Sequence, residues 1–455
     1  MQRLNVRKLN RALSYIESWL KFNFRNSTIS GLSVAIQHKN EVLLSEAFGY
    51  SNLSTNTKLK TSSLMRIGSV SKLITATAAM KLVEDGQLGL DDKVLDHLSW
   101  FESKLDNRVA SVTIRHLLSH SSGLFRDGEN PEYWLLKKSY PNVDELMDYI
   151  GHAQVTFDVG ECFKYSNIGY AFLGMVIEKV TGTDFSTHIR EQFLADLDLS
   201  EIYPDVVRGV ENRLAYGHTS KLFDHAVLPL DSHIHSNSLS AATGYCSSAR
   251  ALCGFLATHF YGNNSLISDS SKRAMHQGCW LIAAEKHIYG YGVVEFEGRK
   301  RRCFGHNGSF PGFSASAKFD PVRNLAVTIL TNNTNGPVHL ISDRIIHIIN
   351  FFQDQKASEN ELDRYEGRFF SVLGVADIVS VNGQLIEMDP SNWGGFESFD
   401  RLDPIGLDTF RIESENGYAF PGEKVIYKFD SEKNSKAIIY AGMYMPQEKE
   451  FMESQ

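Results

Sequence analysis

Arg66-Ile67-Gly68-Ser69-Val70-Ser71-Lys72, followed at once by the apolar run from Leu73 to Val83, is the stretch on which the reading of this chain turns. A run that apolar and that long predicts a buried helix, and Ser69 stands at its mouth with Lys72 three residues on. Positions i and i+3 share a helix face, so the amine can reach the hydroxyl, and the helix start offers free backbone N–H groups and a positive dipole end. A nucleophile, a base and a donor for an oxyanion are then present locally. Taken alone, the pair also fits an N-cap serine beside a solvated lysine, since Ser-x-x-Lys is a short motif. Ser71 is a competing hydroxyl, but its i+3 residue is Ile74, and it is read as structural.

Two further segments add chemistry in register. Tyr165-Ser166-Asn167 brings a phenol and an amide two residues apart, ahead of another helical run. His306-Asn307-Gly308-Ser309 is read as a glycine-rich loop before the alternating, strand-like stretch Phe313 to Phe319; alone, Asn-Gly is ordinary turn chemistry. The order Ser-x-x-Lys, Tyr-x-Asn, His-x-Gly resembles the serine β-lactamase and penicillin-binding-protein-like hydrolases, in the branch of class C β-lactamases, D,D-carboxypeptidases, D-aminopeptidases and related esterases. Class A relatives carry Ser-Asp-Asn and Lys-Thr-Gly in the second and third places. Thr113 to Leu124, Leu82 to Asp92, Ala241 to Ser248 and Tyr289-Gly290-Tyr291-Gly292 are similar to further segments of the family, so the resemblance covers about residues 5 to 352. Two departures stand out: Val159 where relatives usually carry proline, and His306 in place of the lysine of many β-lactamases. An imidazole titrates near neutrality, so the constant charge of an ammonium, useful for holding a substrate carboxylate, is missing.

The chemistry can be built from the residues. A serine hydroxyl needs a neighbouring base, so either Lys72 is neutral or Tyr165 is a phenolate. Their ordinary values, about 10.4 and about 10, must fall, by desolvation for the amine and by a neighbouring cation for the phenol. The two protonations are coupled, and the sequence names neither as sole base. The resemblance implies that Tyr165 also carries the proton to the leaving group and later activates water, and that Asn167 binds the acyl side of the substrate. It also implies that His306, Gly308 and Ser309 line the binding site, with the backbone N–H groups of Ser69 and Ser309 as the oxyanion hole. Gly308 makes physical sense there, because a missing side chain lets substrate approach the backbone.

Other signals are weaker or exclude alternatives. His116 and His120 have the i, i+4 spacing of two zinc ligands but lack the following glutamate of that motif. They are read as structural, as are His233 and His235; Tyr289 to Gly292 is read as a strand near the cleft. No cofactor or metal is called for. With 455 residues and 42% hydrophobic content the chain can bury a large core, and a net charge of −8 argues against nucleic acid or an anionic membrane as partner. The five cysteines, Cys162, Cys246, Cys253, Cys279 and Cys303, are odd in number with no Cys-x-x-Cys pair, which favours free thiols and a reducing compartment. No stretch reads as a bilayer span and residues 1 to 26 lack an apolar signal core, so a soluble, cytoplasmic protein is expected, with processing to another compartment the alternative.

Along the chain, Leu32 to Gln37 with Val42 to Phe48, and Phe313 to Phe319 with Leu325 to Thr331, predict two hairpins of one antiparallel sheet. Helices over residues 5–24 and 337–353 are expected to pack on it, and the helix-rich stretch with Ser69 and Tyr165 lies between. An α/β fold follows: an antiparallel sheet flanked by helices with a helical subdomain, as in the β-lactamase/transpeptidase fold, over residues 1–352. Residues 353–360 read as a linker, and 361–455, with turn signals at Asn382-Gly383 and Asn416-Gly417, as a small all-β barrel similar to domains appended to some of these hydrolases. The expected activity is a serine hydrolase working through an acyl-enzyme on a D-amino-acid peptide, small ester or β-lactam. The alternative is a catalytically silent ligand-binding or sensor protein on the same fold.

Overall fold

The computed structural model describes residues 4–99, 106–128, 131–151, 155–195, 197, 199–206, 209–221, 227–231, 233–296, 301–354, 362–391, 393, 399–414, 417, 419–432 and 435–454. Residues 355–360 of the expected linker and Asn416 lie outside them.

The predicted hairpins form the middle of a larger sheet. Its strands are β1 (Gly31–His38), β2 (Glu41–Asn52), β3 (Thr57–Lys58), β4 (Trp280–Ile282), β5 (His287–Tyr289), β6 (Val294–Phe296), β7 (Cys303–Phe310), β8 (Phe313–Asp320) and β9 (Leu325–Thr331). Their order is β3-β2-β1-β9-β8-β7-β6-β5-β4, so the first hairpin joins the last strand, with Leu32 opposite Thr331. Strands β8 and β9 are buried along their whole length, although only β9 reads as a near-continuous apolar run and β8 alternates in sequence. A helix, Ala249–Ala257, packs on β1, β8 and β9.

The motif His306-Asn307-Gly308-Ser309 is not in a loop; it lies within β7. Asn-Gly suggested a turn, but the turn is the next pair, Pro311-Gly312, which joins Phe310 to Phe313 with Gly312 at φ +85°. Proline followed by a left-handed glycine is the natural sequence for that bend.

Two helices carry the other motifs. The first, Ser71–Glu84, is buried nearly all round from Ser71 to Met80, matching its almost wholly apolar run. The second, Asn167–Thr181, starts at Ser166, whose Oγ accepts the Gly169 N–H at 2.9 Å as an N-cap, and ends at Gly182. It packs against the first, and both contribute to one core that runs from Ala35 to Leu330.

The chain divides into two compact units. One spans Thr28–Ser342; the other takes in the residues before Thr28 and after Ser342. The terminal helix Val6–Arg25 therefore falls in the second unit with the C-terminal strands, as does Val338–Asp354 from Asp343 onward. In that unit Trp19 meets Trp393 edge-on at 5.3 Å, and the Asn23 amide donates to the Pro390 carbonyl at 2.7 Å. Eight antiparallel strands between Gly367 and Pro446 pair in sequence order, and a bridge from Phe369 to Gln447 nearly closes them into a barrel around Phe369, Leu385, Leu402, Ile412 and Ile438. Asn382-Gly383 makes the predicted turn, between Val381 and Gln384.

Candidate active site

Ser69 sits on a short 3-10 turn, Gly68–Val70, that runs straight into the helix Ser71–Glu84. Ser71 is taken up structurally: its hydroxyl donates to the Gly68 carbonyl at 2.5 Å and accepts the Tyr245 N–H at 3.2 Å. Lys72 is fully buried. Its Nζ donates to Asn167 Oδ1 at 2.6 Å and to the Ala242 carbonyl at 2.7 Å, and lies 3.5 Å from Ser69 Oγ. Burial pushes the Lys72 pKa well below its ordinary value; Asp127 opposes the shift and Arg126 adds to it. A neutral amine has two hydrogens and one lone pair. The two carbonyl-type oxygens take the hydrogens, which leaves the lone pair for Ser69.

Tyr165 stands over the same amine, its ring centroid 4.8 Å from Lys72 Nζ, with its phenol close enough to the Ser69 side chain for the two to interact. Desolvation raises the Tyr165 pKa, with Ser69 and Arg126 pulling against it. The same burial thus acts on both members of the pair in the direction that leaves each uncharged. Asn167 has both ends engaged: besides the Lys72 bond, its Nδ2 donates to Asp127 Oδ1 at 2.6 Å. One Nδ2 hydrogen is left over.

Beyond Gly305 the far edge of β7 has no strand partner among the described residues, because β6 pairs only with Cys303 to Gly305. That edge meets the nucleophile turn. A Cβ on Gly308 would lie 1.9 Å from the Ile67 carbonyl and 3.1 Å from the Ser69 nitrogen. A Cβ on Gly68, itself at φ +52°, would lie 2.6 Å from the Ser309 nitrogen. Two glycines are needed for the two backbones to touch, and the contact puts the Ser69 and Ser309 nitrogens close to the point where they meet.

His306 is buried and does not act as a stand-in for a cationic lysine. Its Nδ1–H donates to the Asn307 carbonyl at 2.5 Å, which leaves Nε2 to accept from the Tyr289 hydroxyl at 3.2 Å. Burial, aided by Lys72, lowers its pKa to about 3. It is a neutral ring fixed to the strand at neutral pH.

A family model for Beta-lactamase matches residues 21–349. The chain belongs to the beta-lactamase family. Among relatives, this beta-lactamase-family chain is 22% identical over 364 residues to Protein flp of Staphylococcus aureus (strain N315), which covers 77% of this chain and 72% of flp. The penicillin-binding protein homologue from Pyrococcus abyssi, described as octameric, superposes with a TM-score of 0.66 at 21% identity over 95% of this chain and 99% of that one. The D-amino acid amidase from Ochrobactrum anthropi SV3, solved with D-phenylalanine, gives 0.65 at 23% identity over 75% of this chain and 99% of that one.

The beta-lactamase-family site also contains residues the motifs did not single out. His120 accepts the Ser166 N–H on Nδ1 at 3.1 Å, and its ring packs 4.1 Å from that of Tyr165, so it sets both the start of the second helix and the phenol. With Nδ1 occupied and His116 Nδ1 engaged at Thr113, the two histidines serve separate local ends. Tyr289 fixes His306. Asp127 and Arg126 follow the His120-Ser121-Ser122-Gly123 segment; that segment was legible as a lead into the cleft, but no spacing rule points at the pair.

Proposed function

We propose that this protein is a serine hydrolase that cleaves an ester or amide through an acyl-enzyme on Ser69. The observation that carries the reading is the Lys72 amine, whose hydrogens are held by Asn167 and Ala242 while its remaining face meets Ser69. Lys72 removes the Ser69 proton as Oγ attacks the carbonyl carbon. The negative charge that develops on the carbonyl oxygen meets the Ser69 and Ser309 N–H groups. Tyr165, held protonated, gives its proton to the leaving oxygen or nitrogen, and the Lys72 ammonium returns one to Tyr165. In the second half a water proton goes to the same pair as hydroxide oxygen displaces Ser69, which regains its hydrogen. The spare Nδ2 hydrogen of Asn167 meets the acyl side of the substrate.

Substrates are small esters or D-amino-acid peptides in preference to β-lactams. A neutral His306, turned to Tyr289 and its own strand, supports this choice, because it offers no cation to a carboxylate on the leaving-group side. Intact-protein mass spectrometry after exposure to a panel of esters, D-peptides and penicillins tests the reading. An added acyl mass on Ser69, absent in Ser69→Ala, is expected. Unchanged ester turnover in Ser69→Ala refutes it, and rapid cephalosporin turnover refutes the preference.

A further inference from the structure

Arg126 is the charged side chain that the catalytic mechanism leaves unused. Its backbone carbonyl accepts the Asn167 N–H at 2.8 Å and the Ile168 N–H at 3.3 Å, which fixes the residue against the start of the second helix. Its guanidinium carbon lies 5.3 Å from the centroid of the Tyr165 ring, and Nε donates to Asp127 Oδ2 at 3.1 Å. Asp127 therefore holds Asn167 with one oxygen and Arg126 with the other. Only the Nε corner of the fork is taken: the two terminal nitrogens have no hydrogen-bond partner among the described residues, and the side chain is 63% exposed. The charge is felt at the reacting groups, since it acts on Lys72, Tyr165 and His120 alike.

A guanidinium with its paired N–H groups directed outward is shaped for a carboxylate or phosphate. With Lys72 and His306 neutral, Arg126 supplies a lasting positive charge beside Tyr165, with Asp127 paired to its Nε corner. We infer that Arg126 forms an anion subsite on the Asn167 side of Ser69, and that the substrates of this enzyme carry a carboxylate on the acyl portion. The inference rests on the hydrolase reading above and names the acyl group it takes. Asp127 is a positioning residue here, since it orients Arg126 and Asn167 together.

Two esters with one leaving group test it: mono-4-nitrophenyl glutarate, whose acyl chain ends in a carboxylate, and neutral 4-nitrophenyl butyrate. The readout is the ratio of kcat/KM for glutarate over butyrate, so that any loss common to both divides out. Wild type is expected to favour glutarate. Arg126→Gln is expected to lower the ratio about tenfold or more, chiefly through the KM for glutarate, in line with loss of a charge-assisted pair. Arg126→Glu lowers it further, and Arg126→Lys restores part of it. A wild-type preference for butyrate, or a ratio unchanged in Arg126→Gln while both esters still acylate Ser69, overturns the subsite alone. Failure of both esters to acylate wild-type Ser69 overturns the hydrolase reading and the subsite with it.

Discussion

At the scale of single residues the site depends on keeping two groups uncharged in one pocket. Among the described residues Lys72 has no anion in contact; its partners are the Ser69 hydroxyl, a side-chain amide and a backbone carbonyl, neutral groups that do not stabilise the ammonium as a carboxylate does. The charged form is therefore disfavoured, and ester kcat/KM is expected to rise with pH through a Lys72 ionisation well below the ordinary lysine value. Asp127 holds that ionisation up, so Asp127→Asn is expected to move the rising limb to lower pH. A pH–rate profile checks both, and a limb that moves up in the variant contradicts the account. Tyr165 presents the opposite case, with burial keeping its proton on. That division of roles could not be read from Ser-x-x-Lys and Tyr-x-Asn, since the motifs specify groups and not the desolvation that sets their charges. The approach of Lys72 to Ser69 was legible from i, i+3 spacing. His120, Tyr289, Asp127 and Arg126 were not, because each acts through contacts between elements remote in sequence.

At the scale of elements, the meeting of β7 with the turn Gly68–Val70 decides whether the amides of Ser69 and Ser309 can work together. Gly308→Ala puts a methyl into the Ile67 carbonyl, a backbone atom that cannot swing aside. The strand must retreat, and one oxyanion donor goes with it. Loss of one such donor costs about 2.7 to 4 kcal/mol of transition-state stabilisation, so kcat is expected to fall about 100- to 1,000-fold. Circular dichroism is expected to stay native, because β7 keeps its pairing with β8; retention of full kcat in this variant would show that the contact is dispensable. The strand itself was misread in sequence as a loop. His-Asn-Gly carries a turn signature, and what made it strand was its partner Phe313 to Phe319, together with the Pro311-Gly312 bend. The two central hairpins, by contrast, were plain from paired strand-like stretches, and the burial of the helix Ser71–Glu84 from its almost wholly apolar run.

At the scale of the whole molecule, histidines buried in neutral form set the response to acid. His306 and His276 are both lowered to about 3 by desolvation, and His120 and His259 are shifted the same way. In the unfolded chain each binds a proton near pH 6.5, while the folded protein does not, so stability is full above about 6.5 and declines as pH falls toward 3. Between pH 6.5 and 5 the loss for His306 or His276 is about 2 kcal/mol each. The midpoint of urea unfolding is expected to drop steeply across that interval, less so in His276→Gln, and a flat profile would contradict buried neutral imidazoles. Division of the chain into a sheet-and-helix part and a barrel was visible in composition, but the grouping of the N-terminal helix with the barrel was not, since an amphipathic helix does not name the surface it covers. The pairing of Leu32 with Thr331 also bears on how the protein comes into being. Each barrel strand finds its neighbour within a short reach of chain, whereas β1 must wait for β9, so on the ribosome the nucleophile emerges long before the strands that would arm it. Nascent chains halted ahead of residue 325 would carry Ser69 and Lys72 yet remain inert, and hydrolytic power would arrive in one late step as synthesis passes β9.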